Sequence, residues 1–161
     1  MIINPYPSTS LEAAALWIKA RPDLVVGLTS GTFDLFHDFH LRYLLRCRRE
    51  CDVLIVGVDS DRDVRRTKGP GRPIMSEFQR LMLLDANKHV SFAYVQDGVR
   101  DFQRVAEALL SRGGKAFRNQ TFKGRKNEIA LGSLRSVVDV VIIPDIDELA
   151  STSAIVKRVR A

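Results

Sequence analysis

Two histidines stand three residues apart in the run Ser30-Gly31-Thr32-Phe33-Asp34-Leu35-Phe36-His37-Asp38-Phe39-His40-Leu41-Arg42. At the start of a helix this spacing sends both rings to the same side. Backbone N–H groups and the dipole at such a helix start already favour an anion. An imidazole N–H donates to a phosphate oxygen, so His37 and His40 suit a phosphoryl group on which negative charge redistributes. Taken alone, the pair serves equally as a structural or solvent-facing pair. A metal site is a third option, with Asp34 and Asp38 as the nearby carboxylates.

Other groups are compatible with anion chemistry. Of the 25 basic side chains 18 are Arg, against 19 acidic ones, for a formal charge of +6. A guanidinium grips phosphate with a planar fork. Seven arginines fall between Arg42 and Arg66, but Glu50, Asp52, Asp59, Asp61 and Asp63 interleave with them. That mixture suits a local pocket for an anionic ligand and argues against a nucleic-acid stripe. Ser151-Thr152-Ser153 precedes an apolar helical pattern and reads as a helix cap. Cys47 and Cys51 lie four apart in one expected helix and read as reduced, packed thiols.

These groups need a scaffold, and the apolar pattern supplies one. Leu24–Leu28, Val53–Val58, Val90–Val95, Lys115–Phe117 and Val137–Ile143 read as five strands. The strongest are β-branched and apolar on both faces, as parallel strands covered on two sides must be. Helical patterns alternate with them. One runs near Ser10–Ala20 and stops at Pro22; another carries Leu41, Leu44 and Leu45 on one face. Ser76 and Gln79 form a capping box ahead of Phe78, Leu81, Met82 and Leu84. Phe102, Val105, Ala106, Leu109 and Leu110 make a further stripe that ends at Gly113-Gly114. Ala154, Ile155 and Val159 mark the last helix. The alternation predicts an α/β fold, a doubly wound parallel five-stranded sheet with helices on both faces. Ligands of such sheets sit beyond the carboxyl ends of the strands.

The 161 residues fit one domain, residues 1–161, with 1–22 as an N-terminal helical extension. No apolar run approaches the roughly 18 residues that cross a bilayer. Residues 1–7 lack the cationic flank and apolar stretch of a signal peptide, so the expected compartment is the cytoplasm.

Gly31-Thr32-Phe33-Asp34 followed by a histidine-bearing helix start resembles the cytidylyltransferase-like nucleotidyltransferases, with their G-T/C-F-D and H-x-G-H motifs. The likeness continues through Gly57-Val58-Asp59-Ser60-Asp61. It is sharpest at Val64-Arg65-Arg66-Thr67-Lys68-Gly69-Pro70-Gly71-Arg72-Pro73, which looks like the branch that adenylylates heptose 1-phosphate. Arg80 and Ser151-Thr152-Ser153 match later motifs in the same order. The glycine of H-x-G-H is replaced by Phe39.

The resemblance implies a Rossmann-like fold and a reaction. A phosphate oxygen of the acceptor attacks the α-phosphorus of a nucleoside triphosphate, and pyrophosphate leaves. His37, His40 and Arg42 would act on the transferred group. Gly31, Thr32, Phe33, Asp34, Arg48, Arg80, Ser151, Thr152 and Ser153 would bind the nucleotide. Asp59, Asp61, Lys68 and Arg72 would meet the acceptor, and Mg²⁺ would accompany the triphosphate. The expected partners are ATP or CTP, a small phosphorylated acceptor and a second copy of the chain, with no nucleic acid and no membrane. Adenylyl transfer to a sugar phosphate is the expected activity. Cytidylyl transfer to a polyol phosphate such as glycerol 3-phosphate, or nucleotide binding without turnover, are the alternatives.

Overall fold

In a computed structural model, residues 11–110, 113–119, 135, 138–144 and 152–159 are described. The apolar runs form five strands: β1 (Val26–Gly31), β2 (Val53–Asp59), β3 (Phe92–Gln96), β4 (Lys115–Asn119) and β5 (Asp139–Ile143). All pair in parallel, in the order β3-β2-β1-β4-β5. The chain starts in the middle, winds outward to β3, then crosses to the other half. The switch point therefore lies between β1 and β4. There the backbone ladder covers only Gly27↔Lys115 and Leu28↔Ala116.

Helices cover both faces. On one, α1 (Leu11–Lys19) and α5 (Val99–Leu110) bring Ala14, Ile18, Phe102, Val105, Ala106 and Leu110 onto the β1–β4 side chains Val26, Leu28, Val53, Ile55, Phe92, Tyr94 and Ala116. On the other, α2 (Asp38–Arg49) and α4 (Glu77–Asp85) bring Tyr43, Leu44, Cys47 and Leu84 onto Leu54, Val56, Val58, Ala93 and Phe117. A last helix, α6, spans Thr152–Val159. The architecture is the doubly wound, Rossmann-like sheet expected from the alternation of strands and helices.

Several local readings are corrected. Asp61–Lys68 forms a helix, α3, that the apolar pattern does not announce, because Val64 is its one buried residue. Ser60 starts it, its Oγ accepting from the Asp63 N–H at 3.0 Å. The buried face of α2 is Tyr43, Leu44 and Cys47; Leu41 is 41% exposed. On α4 the capping box of Ser76 and Gln79 is present, yet Phe78 and Met82 face outward at 67% and 53% exposure. The inward positions are held by Leu84 and, against expectation, by Arg80. Cys51 lies beyond the end of α2, with its Sγ donating to the Cys47 carbonyl at 3.3 Å. Both thiols are free and buried. No helix among the described residues is long and apolar enough to cross a membrane.

Candidate active site

The turn that leaves β1 is wound tightly. Phe33 and Leu35 both adopt positive φ, at 51° and 48°. Side chains other than glycine rarely enter this left-handed region. Phe33 is nevertheless buried with the α2 and β2 side chains, which holds the turn in place. Its ring lies so close to Gly31 that a Cβ there would sit 3.3 Å away. The winding turns Asp34 inward and delivers His37 to the start of α2.

His37 is the N-cap of α2, with extended backbone, and His40 is its third residue. The two imidazole centroids lie 4.0 Å apart. The His37 backbone N–H donates to His40 Nδ1 at 3.3 Å. Burial, the neighbouring His37 and the Lys68 ammonium push His40 down to about 3, against an opposing pull from Asp34. Burial also lowers His37, opposed by Asp38. Both rings are therefore neutral near pH 7. They stand at a helix N-terminus at the carboxyl end of β1, where neutral N–H donors and the helix dipole can act together on an anion.

Around the pair runs a frame of salt bridges. Asp34 is 1% exposed and lies 2.8 Å from Arg72 Nη2. It also accepts from Arg72 Nε and from the Ile74 and Met75 N–H groups, the shortest of each at 2.9 Å. Burial raises this carboxyl, but the Met75 and Ile74 N–H groups and Arg72 outweigh it, so the net shift is downward. Arg80 has no exposed surface. Its three guanidinium nitrogens donate to Met75 O at 3.0 Å, Thr32 O at 2.6 Å and Asp61 Oδ1 at 2.7 Å. Asp59 accepts from Thr32 Oγ1 at 3.1 Å and from Gln96 Nε2 at 3.0 Å, and burial raises it.

These geometries revise the expected roles. Arg80 and Arg72 cannot offer their bonded edges to phosphate as they stand, because protein oxygens already take them. Asp34, Asp59 and Asp61 are likewise engaged by protein donors. Arg48 sits at the opposite end of α2 from the histidines and donates to the Cys51 carbonyl. Arg42 is on the first turns of α2, solvent-exposed, 3.4 Å from Asp38. Lys68, at the end of α3, has no ion-pair partner among the described residues. Loss of water and the nearby Arg72 lower its ammonium, while Asp59 and Asp34 pull the other way. His37, His40, Lys68, Asp34, Arg72, Arg80, Thr32, Asp59 and Asp61 thus form one connected cluster. Ser151 and the side chains of Thr152 and Ser153 lie outside the described residues. No group of three His, Cys, Asp or Glu that could hold a metal occurs among the described residues.

Two participants escape a sequence reading. Gln96, at the end of β3, reaches Asp59 across Gly57, where a Cβ would come within 2.4 Å of Gln96 Oε1. A glycine inside an apolar strand is the signal that another group approaches closely. Arg118, buried near the end of β4, donates to Ser30 Oγ at 3.1 Å and stacks 3.7 Å from the Phe102 ring centroid. Nothing local in the sequence points to it.

Comparison with known proteins identifies the family. The profile of the family described as Cytidylyltransferase-like matches residues 28–161. The bifunctional protein HldE of Bradyrhizobium diazoefficiens is 37% identical over 140 residues, covering 85% of this chain and 27% of that protein. The HldE of Campylobacter jejuni subsp. doylei is 32% identical over 148 residues, covering 90% and 30%. The chain thus spans less than a third of these relatives' length. Among solved structures, a lipopolysaccharide core biosynthesis protein from Thermoplasma volcanium superposes with a TM-score of 0.61 at 24% identity, over 77% of this chain and 99% of that one. Pantothenate synthetase from Thermus thermophilus gives 0.52 at 16% identity, over 88% and 65%, a likeness of fold. With its profile match running from the first strand to the C-terminus and its histidine pair at the carboxyl end of that strand, the chain belongs to the cytidylyltransferase-like family of nucleotidyltransferases.

Proposed function

We propose that the chain transfers an adenylyl group from ATP to a sugar 1-phosphate of the heptose type, with release of pyrophosphate. The observation that carries this reading is the pair of neutral imidazoles 4.0 Å apart at the N-terminus of α2. An oxygen of the acceptor phosphate attacks the α-phosphorus. The bond from that phosphorus to the bridging oxygen breaks, and pyrophosphate departs with the electron pair. No protein nucleophile is needed, and catalysis is positioning and charge stabilisation. His37 and His40 donate to the α-phosphate oxygens. Lys68 and Arg42 supply positive charge beside them. Gly31, Thr32 and Phe33 shape the wall, and Ser151, Thr152 and Ser153 receive the triphosphate. Asp34, Arg72, Arg80, Asp59 and Asp61 hold the two loops that form the site. Mg²⁺ enters as part of the metal–nucleotide substrate. The similarity to proteins designated HldE supports the sugar phosphate branch.

Pyrophosphate release from ATP or CTP, each with heptose 1-phosphate, other sugar 1-phosphates and glycerol 3-phosphate, tests the proposal. Turnover with ATP and a sugar 1-phosphate is expected; silence across the panel from folded protein overturns it. A cytosolic homodimer belongs to the same reading and is checked by sedimentation. A second reading, nucleotide binding without turnover, is favoured by the Phe39 ring, 6.2 Å from His37. Calorimetric binding of nucleotide with no pyrophosphate formed distinguishes it.

A further inference from the structure

His40 is surrounded by phenyl rings. The centroids of Phe33, Phe36 and Phe39 lie 5.3, 5.5 and 6.5 Å from its own, at interplanar angles of 60°, 33° and 67°. Two of these rings have another task, because Phe33 and Phe36 pack with the α2–α4 core. Among the described residues, Phe39 belongs to neither core cluster, and its ring contacts are with the two imidazoles. An apolar side chain that does not serve the core and is laid against two polar rings acts on those rings.

The hydrogen bond from the His37 backbone fixes the rest. An imidazole Nδ1 accepts an N–H only when it carries no proton, and in the neutral ring the proton then sits on Nε2. The charged groups facing His40 come from three elements. His37 lies at the start of its own helix, with Asp38 acting on His37; Asp34 lies in the β1–α2 turn, and Lys68 at the end of α3. The Lys68 ammonium opposes a second positive charge there. Asp34 favours one, but its oxygens are already bound by Arg72 and two backbone N–H groups.

We propose that Phe39 is a positioning residue acting through His40: it completes an aromatic enclosure that holds the imidazole in the single neutral tautomer protonated at Nε2, a fixed hydrogen-bond donor and not a proton carrier. The catalytic meaning of this enclosure rests on the transferase reading, whereas the tautomer does not. The chemistry asks for nothing more. A phosphate monoester is mostly dianionic at pH 7, its second ionisation lying near 6, so the attacking oxygen needs no base. A ring that kept a second proton would gain charge in acid and change its hold on the phosphate.

The test is nitrogen-15 NMR of the histidine side chains in the full chain, from pH 2 to 8, for wild type, Phe39→Gly and Phe39→Leu. In wild type, His40 should show the Nε2-protonated tautomer and no titration above about pH 4.5. Phe39→Gly admits water, and its His40 midpoint should rise by about one pH unit or more. Phe39→Leu keeps apolar bulk and should stay within about half a unit of wild type. A His40 protonated on Nδ1, or titrating near pH 6 in wild type, overturns the proposal. So does an identical midpoint in wild type and Phe39→Gly. Pyrophosphate assays on the same samples keep the two readings apart: the NMR pattern can hold while turnover is absent, which would remove the transferase and leave the enclosure.

Discussion

Two nitrogens of the Arg72 guanidinium converge on one oxygen of Asp34, Nε at 2.9 Å and Nη2 at 2.8 Å from Oδ2. The other Asp34 oxygen binds the Met75 N–H at 2.9 Å. A carboxylate in the β1–α2 turn thereby fastens the loop that precedes α4. Asp34→Asn removes the charge and leaves the guanidinium in a site built for an anion. Losing one partner of a buried pair costs about 3–5 kcal/mol. The variant should unfold at clearly lower urea and be cut by protease within 69–75. Unchanged values on both measurements would show that the loop is held by other contacts.

Arg80 reaches three separate oxygens from one planar group. An ammonium has no such fork, so Arg80→Lys is not conservative here. We expect a loss of about 2–4 kcal/mol in urea unfolding, since buried carbonyls and Asp61 lose partners. A lysine variant as stable as wild type would mean that the clamp contributes little.

His37→Ala and His40→Ala should each reduce the rate of the proposed transfer by on the order of 10²-fold or more. Circular dichroism should show the fold retained. Undiminished pyrophosphate release would remove the pair from the chemistry.

Stability should fall on mild acidification. His40 in the folded chain is pushed down to about 3, against about 6.5 when unfolded. Between those values the unfolded state takes up a proton that the folded state refuses. Unfolding is therefore favoured as pH drops below about 6.5, by up to about 1.4 kcal/mol per pH unit. His37 and His89 are lowered as well and act in the same sense. Asp34 is also lowered, and its contribution is lost further down, as pH falls through its folded value. Asp59 is raised and opposes the trend, because acid relieves its burial. Urea midpoints at pH 7 and 5 measure the slope, and His40→Gln should flatten it. An equal slope in that variant would exclude His40 as the source.

Gly57→Ala puts a methyl in steric clash with Gln96, since an added Cβ would be 2.4 Å from its Oε1. Gln96 must withdraw from Asp59, and such overpacking typically costs about 1–3 kcal/mol. A crystal structure of the variant should show the amide displaced from Asp59. An undisturbed Gln96–Asp59 bond would contradict this.

The pattern of the sheet was legible because apolar runs on both faces admit few alternatives. The closeness of His37 and His40 was legible because helical spacing alone decides it. The function of Arg80 was not. Its partners stand 19 and 48 positions away, at Asp61 and Thr32, and only the assembled sheet brings them together. Helix α3 escaped for a different reason. Seven of its eight residues are not buried, and its stabilisation comes from the Ser60 cap and from charges placed with the dipole. Phe78 and Met82 look like core in a helical pattern, but Arg80 and Leu84 occupy the inward turn. Arg48 was a nucleotide ligand only by the family resemblance, and the structure places it at the far end of α2 from the histidines, bonded to the Cys51 carbonyl.

Past Leu28 and Ala116 the central strands are joined by side chains in place of a ladder. Thr29 Oγ1 donates to the Phe117 carbonyl at 3.2 Å and Arg118 to Ser30 Oγ. The sheet is thus a zip fastened at its base and left undone at the top. Side-chain changes at Thr29 or Arg118 therefore reach this seam directly, whereas the paired rows beneath depend on backbone alone.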